Sequence, residues 1–152
     1  MTKKEKTKIN FKLLYKLSKD GDLIKTFHEK CDNKGPTLII IKTTKGFRFG
    51  GFNPITWDIS GDYKISNSVF IFSLDKKKKY LLNNGHDKFA ICGSSTKIAF
   101  GGGHDISILD QCSKNINNYT YPYSFNTTEK FELNGGEKNF IVSDMEVYLV
   151  LF

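Results

Sequence analysis

The sequence predicts one strand-rich domain in which two antiparallel β-sheets pack as a sandwich, flanked by a few helices. Three observations carry this. The chain holds 13 Phe and 7 Tyr while alanine is scarce, a balance that favours strands over helices. Short apolar runs recur along the chain, separated by Gly, Asn and Pro, the residues that punctuate β-turns. Neither an internal repeat nor a linker interrupts the 152 residues, a length that suits one domain with one core.

Taken in order, residues 1–10 read as a basic tail, carrying Lys3, Lys4, Lys6 and Lys8, and the folded domain spans 11–152. Phe11, Leu13, Tyr15 and Leu17 alternate with mostly polar positions, which fits a short strand or a turn of helix. Asp22 is placed to cap a helix in which Leu23, Ile24, Phe27 and Cys31 share one face. Lys30 and Lys34 suit the negative end of that helix, and Gly35-Pro36 stops it. The run Leu38 to Ile41, the turn Thr44-Lys45-Gly46 and the alternating Phe47 to Phe52 predict a β-hairpin with a buried first strand.

Asn53 to Tyr63 reads as a loop carrying Trp57, and Val69 to Leu74 as a strand with bulky residues on both faces. Further strands are expected around Tyr80-Leu82, Phe89-Cys92, Ile98-Phe100 and Ile106-Leu109. Asn115 to Asn126, rich in Asn and Tyr, predicts a long surface loop. After Phe140-Ile141-Val142, the residues Met145, Val147, Leu149 and Leu151 alternate with Glu146, Tyr148, Val150 and Phe152. A strand that apolar is expected to be central and covered on both sides.

The net charge of +7 and pI near 9.2 come almost wholly from lysine, because Arg48 is the only arginine. Specific base or phosphate recognition favours the bidentate guanidinium, so no specific nucleic-acid partner is expected. Lys76 to Lys79 reads as a solvated turn. Cys31, Cys92 and Cys112 are odd in number and lack a CxxC pair, as suits free thiols in a reducing compartment. The N-terminus lacks the apolar stretch of a secretory signal and no run reaches membrane-spanning length, so a cytoplasmic protein is expected. The acceptor patterns at Asn118-Tyr119-Thr120 and Asn126-Thr127-Thr128 are then coincidental.

Two stretches go beyond an ordinary β protein. Phe27-His28-Glu29-Lys30-Cys31-Asp32-Asn33-Lys34-Gly35-Pro36-Thr37, followed by Ile41-Lys42 and Phe49-Gly50-Gly51, closely resembles the TLDc domain in its protist form. Phe100-Gly101-Gly102-Gly103-His104-Asp105 matches that family's glycine signature. Leu14-Tyr15 with Asp20-Gly21, then Trp57, Gly61 and Tyr63, then Asp144 with Glu146-Val147-Tyr148, fall in the same order, so the likeness spans residues 11–152. Gly50, Gly51, Gly101, Gly102, Gly103 and Glu146 are thereby marked as structural signature positions. The resemblance implies the two-sheet sandwich and a link to oxidation resistance. It also implies binding to peripheral subunits of the vacuolar proton-pumping ATPase, hence a place at endolysosomal membranes through a partner.

Several residues invite chemistry, each with a plainer alternative. The triple glycine suits either a nest of N–H groups for an anion, with His104 as a further donor, or a point where two backbones pass closely. Without a following Lys-Ser/Thr it is no P-loop. His104-Asp105 with Cys92 or Cys112 raises a small thiol-dependent redox or hydrolytic enzyme, which requires an activated thiolate beside a base. His28 and Cys31 are spaced as zinc ligands, but Cys31 belongs to the apolar helix face and His28 is expected to face solvent. Asp32, Lys34, His104 and Asp105 are assigned to recognition loops gathered at one end of the sandwich. Trp57 either plugs the core or anchors a partner. The resulting expectation is a monomeric, non-enzymatic interaction module without cofactor or metal.

Overall fold

The computed structural model describes residues 8–152, so Lys3, Lys4 and Lys6 of the expected tail lie outside the described residues. Asn10, also assigned to the tail, already begins a strand. Twelve strands and two short helices follow one another: β1 (Asn10–Lys16), α1 (Leu17–Asp20), α2 (Ile24–Cys31), β2 (Thr37–Thr43), β3 (Arg48–Asn53), β4 (Ser60–Lys64), β5 (Phe70–Ser73), β6 (Lys78–Leu81), β7 (Ile91–Ser94), β8 (Lys97–Phe100), β9 (Ile106–Leu109), β10 (Asn118–Thr120), β11 (Asn139–Phe140) and β12 (Val142–Leu151). They form two six-stranded sheets, ordered β1-β12-β2-β3-β5-β6 and β11-β10-β9-β8-β7-β4. Every pairing is antiparallel, and the sheets pack as the predicted sandwich.

Alternation along the strands decides what lies between the sheets. The register puts Tyr15, Val147, Ile39, Gly51, Ile71 and Tyr80 side by side across the first sheet, and each non-glycine member of that row is at least 97% buried. From the second sheet Ile98, Phe100, Ile106 and Ile108 close the core. At Gly51 a Cβ would stand 2.5 Å from Phe100 Cζ, so the absent side chain is what lets the Phe100 ring reach the opposite sheet.

The helix α2 buries Ile24, Phe27 and Cys31 as its spacing requires, but its start departs from expectation. Asp22 is turned away and accepts from Ser113 Oγ, while the first free amide, Ile24 N, donates to Asp110 Oδ1 at 2.9 Å. The cap comes from another part of the chain, a partner that local spacing does not reveal. His28 is buried rather than solvent-facing. Its Nδ1 lies 2.6 Å from Asp32 Oδ1 and its Nε2 2.7 Å from the Ser94 carbonyl.

Four further expectations change. The segment 115–126 is not simply a surface loop, because β10 sits inside the second sheet and Asn118 is fully buried. Asn118 Nδ2 donates to the carbonyls of Cys112, Asn115 and Phe140, so hydrogen bonds stabilise a position that looks like a loop residue. The expected loop 53–63 ends in the edge strand β4, which is largely exposed. The lysine run is partly paired, since Lys76 Nζ is 3.1 Å from Glu129 and 3.6 Å from buried Glu132. The strand β12 is interior, between β1 and β2, with Met145 and Val147 fully buried on one side, while on the other Val150 is buried and Glu146 and Tyr148 are half-buried.

Candidate functional site

Phe100 to Ile106 is the hairpin turn between β8 and β9. Gly101 adopts φ +87 and His104 φ +55, and His104 N donates to Gly101 O at 3.2 Å. Three of the turn's amides are engaged, His104 N as above, Gly101 N with Ala90 O at 3.1 Å and Gly102 N with Ser124 Oγ at 2.8 Å. The anion-nest alternative therefore finds most of its donors committed. The close approach at these glycines is to side chains rather than to a second backbone. A Cβ on Gly101 would lie 2.1 Å from Asp105 Oδ1, one on Gly102 3.0 Å from Phe89 and one on Gly103 2.7 Å from Tyr123.

Asp105 is 2% exposed and turns inward, so it presents nothing to a partner. Its carboxylate accepts from three successive amides, Tyr123 N at 3.1 Å, Ser124 N at 2.9 Å and Phe125 N at 3.0 Å. Burial pushes its pKa up, and those amides, first among them Phe125, oppose the rise. In this way the residue after the glycines pins the strap 121–125 across the end of the sheet. Ser124 continues the arrangement, its Oγ lying 3.1 Å from His86 Nδ1.

The pinned strap brings Tyr121 and Tyr123 against Gly103, and Tyr63 of β4 meets His104 beside them. Tyr63 Oη donates to Gly102 O at 2.9 Å and lies 3.2 Å from His104 Nε2. With the phenolic proton committed, the imidazole proton on Nε2 points to Tyr63, and Nδ1 is left as an acceptor. Burial, and then Lys97, push the His104 pKa down, which keeps the ring neutral near pH 7. Phe89 packs edge-on against Tyr63 at 5.2 Å and Tyr123 against His86 at 5.2 Å. Lys138 Nζ stands 5.3 Å above Tyr119 and 5.8 Å from Tyr121. Tyr63, Tyr121 and Tyr123 are each at least 40% exposed. The result is a rigid aromatic face with a basic flank, the composition that protein-binding surfaces favour.

The other predicted recognition residues lie elsewhere. Asp32 and Lys34 follow α2, where Asp32 bridges to Trp57 and His28 bonds Ser94 at the far end of β7. Ile91 pairs with Phe100, whereas Gly93 pairs with Ile98, so the Ser94 and Gly101 ends of this hairpin pair point in opposite directions. The two loops therefore do not gather at one end. Lys34 is exposed. Trp57 is fully buried; its Nε1 donates to Thr37 Oγ1 at 3.0 Å and its ring packs between Phe27 and Phe100, which makes it a core plug and not an anchor. Glu146 accepts from Lys16 Nζ at 2.6 Å and from Tyr148. Gly50, on the outer side of the first sheet, lies beneath the Phe72 ring. Tyr63, named only for the family likeness, and Tyr121 and Tyr123 were not among the expected recognition residues, although Tyr119, Tyr121 and Tyr123 at alternating positions carry a signal for a shared face.

A thiol nucleophile gains nothing from this geometry. Cys31 and Cys112 are buried, and burial pushes both thiols up to about 12; burial likewise raises Cys92, whose Sγ donates to Gly61 O at 3.4 Å. The hydrogen-bonding partner of His104 is Tyr63, not a cysteine. His28 and Cys31 share no ligand position either, since both nitrogens of His28 are engaged and Cys31 faces the core.

Comparison with known proteins places the chain among relatives that share its domain. MTOR-associated protein MEAK7 of Danio rerio is 28% identical over 64 residues, 42% of this chain and 14% of the relative. The Gallus gallus protein of that name is 30% identical over 101 residues, 62% of this chain and 22% of the relative, and the Mus musculus one 23% over 77 residues, 51% and 17%. The chain thus spans less than a quarter of the length of these relatives. The family model of the TLDc domain matches residues 1–151, and with the two-sheet sandwich and the Gly101–Asp105 turn in place, the chain belongs to the TLDc domain family.

Proposed function

We propose that this chain is a non-enzymatic interaction module that docks on a protein complex through the face around His104. The observation that carries the proposal is the group of exposed Tyr63, Tyr121 and Tyr123 at the glycine turn, the last two on the strap that Asp105 pins and the first against a neutral imidazole whose Nδ1 remains free to accept. Rigid tyrosines supply contact area at little cost in side-chain entropy. The inward carboxylate and the protonated thiols leave no nucleophile and base in contact there. Module binding favours one conformation of the partner over another, and a tenfold preference, about 1.4 kcal/mol, already shifts an assembly equilibrium.

The partner we assign is the peripheral sector of the vacuolar proton-pumping ATPase, which places the chain in the cytoplasm at endolysosomal membranes and ties it to oxidation resistance. Three relatives carry association with MTOR in their names, which supports a role built on protein partners. Among the described residues no helix is long and apolar enough to cross a membrane, in keeping with recruitment through a partner. The test is capture from cell lysate on the immobilised chain, with bound proteins identified by mass spectrometry. Peripheral pump subunits are expected in the bound fraction, and their absence from it would refute this partner.

A further inference from the structure

The chain contains two Asn-Gly steps, Asn84-Gly85 and Asn134-Gly135, and the fold treats them oppositely. At such a step the glycine amide nitrogen can attack the preceding side chain, because no Cβ shields it and its backbone turns freely. Whether it does so depends on exposure, on the freedom of that amide and on what holds the asparagine side chain.

Asn84 and Gly85 are both exposed and form the centre of the turn 83–86, which His86 N closes by donating to Asn83 O at 3.0 Å. Gly85 sits there at φ +83. Among the described residues, neither the Gly85 amide nor the Asn84 side chain has a hydrogen-bond partner. Asn134, by contrast, is 2% exposed, and its Nδ2 donates to Glu137 O at 2.9 Å and Asn139 O at 3.0 Å. Burial and two acceptors hold that side chain in place. The neighbouring Asn83 is held as well, its Nδ2 donating to Tyr123 O at 3.1 Å.

We infer that Asn84 is a site of spontaneous covalent modification, deamidation through a succinimide. Gly85 N attacks Asn84 Cγ. The N–Cγ bond forms, the Cγ–Nδ2 bond breaks, and the side-chain nitrogen leaves as ammonia with the proton that Gly85 N gives up. Water then opens the five-membered ring. Addition at Cγ restores the chain with an aspartate at position 84. Addition at the backbone carbonyl routes the chain through Cβ and Cγ instead, as an isoaspartate whose backbone is one methylene longer. Either product carries a carboxylate, ionised near neutral pH, where the amide was uncharged.

The turn is tied to the strap 121–125. Asn83 N donates to Ser124 O at 2.7 Å, His86 Nδ1 lies 3.1 Å from Ser124 Oγ, and the His86 ring packs against Tyr123 at 5.2 Å. Lengthening the backbone between positions 84 and 85 shifts Asn83 relative to His86, so the isoaspartate form breaks the turn's closing bond and loosens the strap. A resulting loss of partner capture rests on the docking face proposed above; the modification and the loosening do not.

Peptide mapping of the full chain, kept folded at pH 8 over days, tests the site. Cleavage after lysine places Asn84 in the peptide 80–88 and Asn134 in 131–138, so mass spectrometry follows each separately. The expected result is conversion of amide to acid in 80–88, with aspartate and isoaspartate forms together, at least tenfold faster than in 131–138, where Asn134 reacts only after local opening. In urea the two rates converge. Amide exchange on the aged chain reads the loosening: Asn83 and His86 lose protection in the isoaspartate form, whereas Asn84→Asp, which adds the charge without the methylene, keeps it. An Asn84 that stays amidated while the urea-unfolded chain deamidates there overturns the inference, and so do equal rates at the two positions in the folded chain. Full protection in the isoaspartate form overturns the loosening. Neither readout involves a partner, so a failure of the docking face leaves both standing.

Discussion

Replacing Asp105 by Ala removes the group that holds the strap 121–125 and so probes the scaffold of the candidate site. The carboxylate of this residue, 2% exposed, accepts from the amides of Tyr123, Ser124 and Phe125. Each buried donor left without a partner costs about 1–3 kcal/mol. Exposed Tyr121 and Tyr123 let the strap open towards water and regain part of this. The variant also loses a carboxyl whose pKa burial pushes up, meaning that its ionisation in the fold is itself unfavourable. The net effect is therefore set at the low end of the sum, about 3 kcal/mol, which lowers Tm by roughly 10 °C for a domain of this size. Urea denaturation and thermal melts measure it. Amide exchange supplies a local reading: the three amides are protected in the parent and exchange rapidly in the variant. A Tm within about 2 °C of the parent, with protection at Ser124 retained, would refute the role given to Asp105.

Gly51→Ala places a methyl carbon 2.5 Å from Phe100 and is expected to destabilise by about 1–3 kcal/mol through overpacking, read from the urea midpoint at an unchanged m-value. Asp58 responds to acid. Burial alone would raise its pKa, but Lys64 and Ser60 hold it down at about 2, below the ordinary 3.8. Its contribution is complete above pH 3.8 and is lost as pH falls towards 2, so Asp58→Asn is expected to flatten stability between those values in pH-dependent melts, modestly, because the ion pair is partly exposed. The thiols of Cys31 and Cys112 are expected to react with an aromatic disulfide reagent only at the rate of unfolding at pH 8, accelerating in urea; rapid labelling of the native protein would contradict their burial.

Much of the sandwich was legible because its strands obey simple periodicity. The β2 and β3 hairpin has an apolar first strand, a Gly46 turn and alternation after it, and all three signals are local. The β8 and β9 hairpin was legible as strands around a glycine turn, but the purpose of the glycines was not, since Phe89 and Tyr123 approach Gly102 and Gly103 from distant positions and the strap 123–125 turns Asp105 inward against Gly101. Where a residue's partner lies far along the chain, local pattern misled. Asp22 had the right type for a cap, yet Asp110 holds the helix amide; His28 is buried because Ser94 offers a carbonyl; Asn118 enters a sheet because three carbonyls satisfy its amide. Trp57 could be core or surface on sequence grounds, and Thr37 together with Phe27 and Phe100 decides for the core. The aromatic face around His104 depends on a strap that folds back over the turn, a long-range event without local period.

The central claim is that the Tyr-rich face around His104 is the docking surface. Its most direct test is a Tyr121→Ser, Tyr123→Ser double variant, carrying changes at side chains that are each more than 40% exposed, assayed for capture of peripheral proton-pump subunits beside the parent, with a thermal melt of both. Retained folding with capture reduced at least tenfold is the predicted result, since exposed aromatic anchors carry about 2 kcal/mol or more of binding apiece. Undiminished capture by a folded double variant would contradict it.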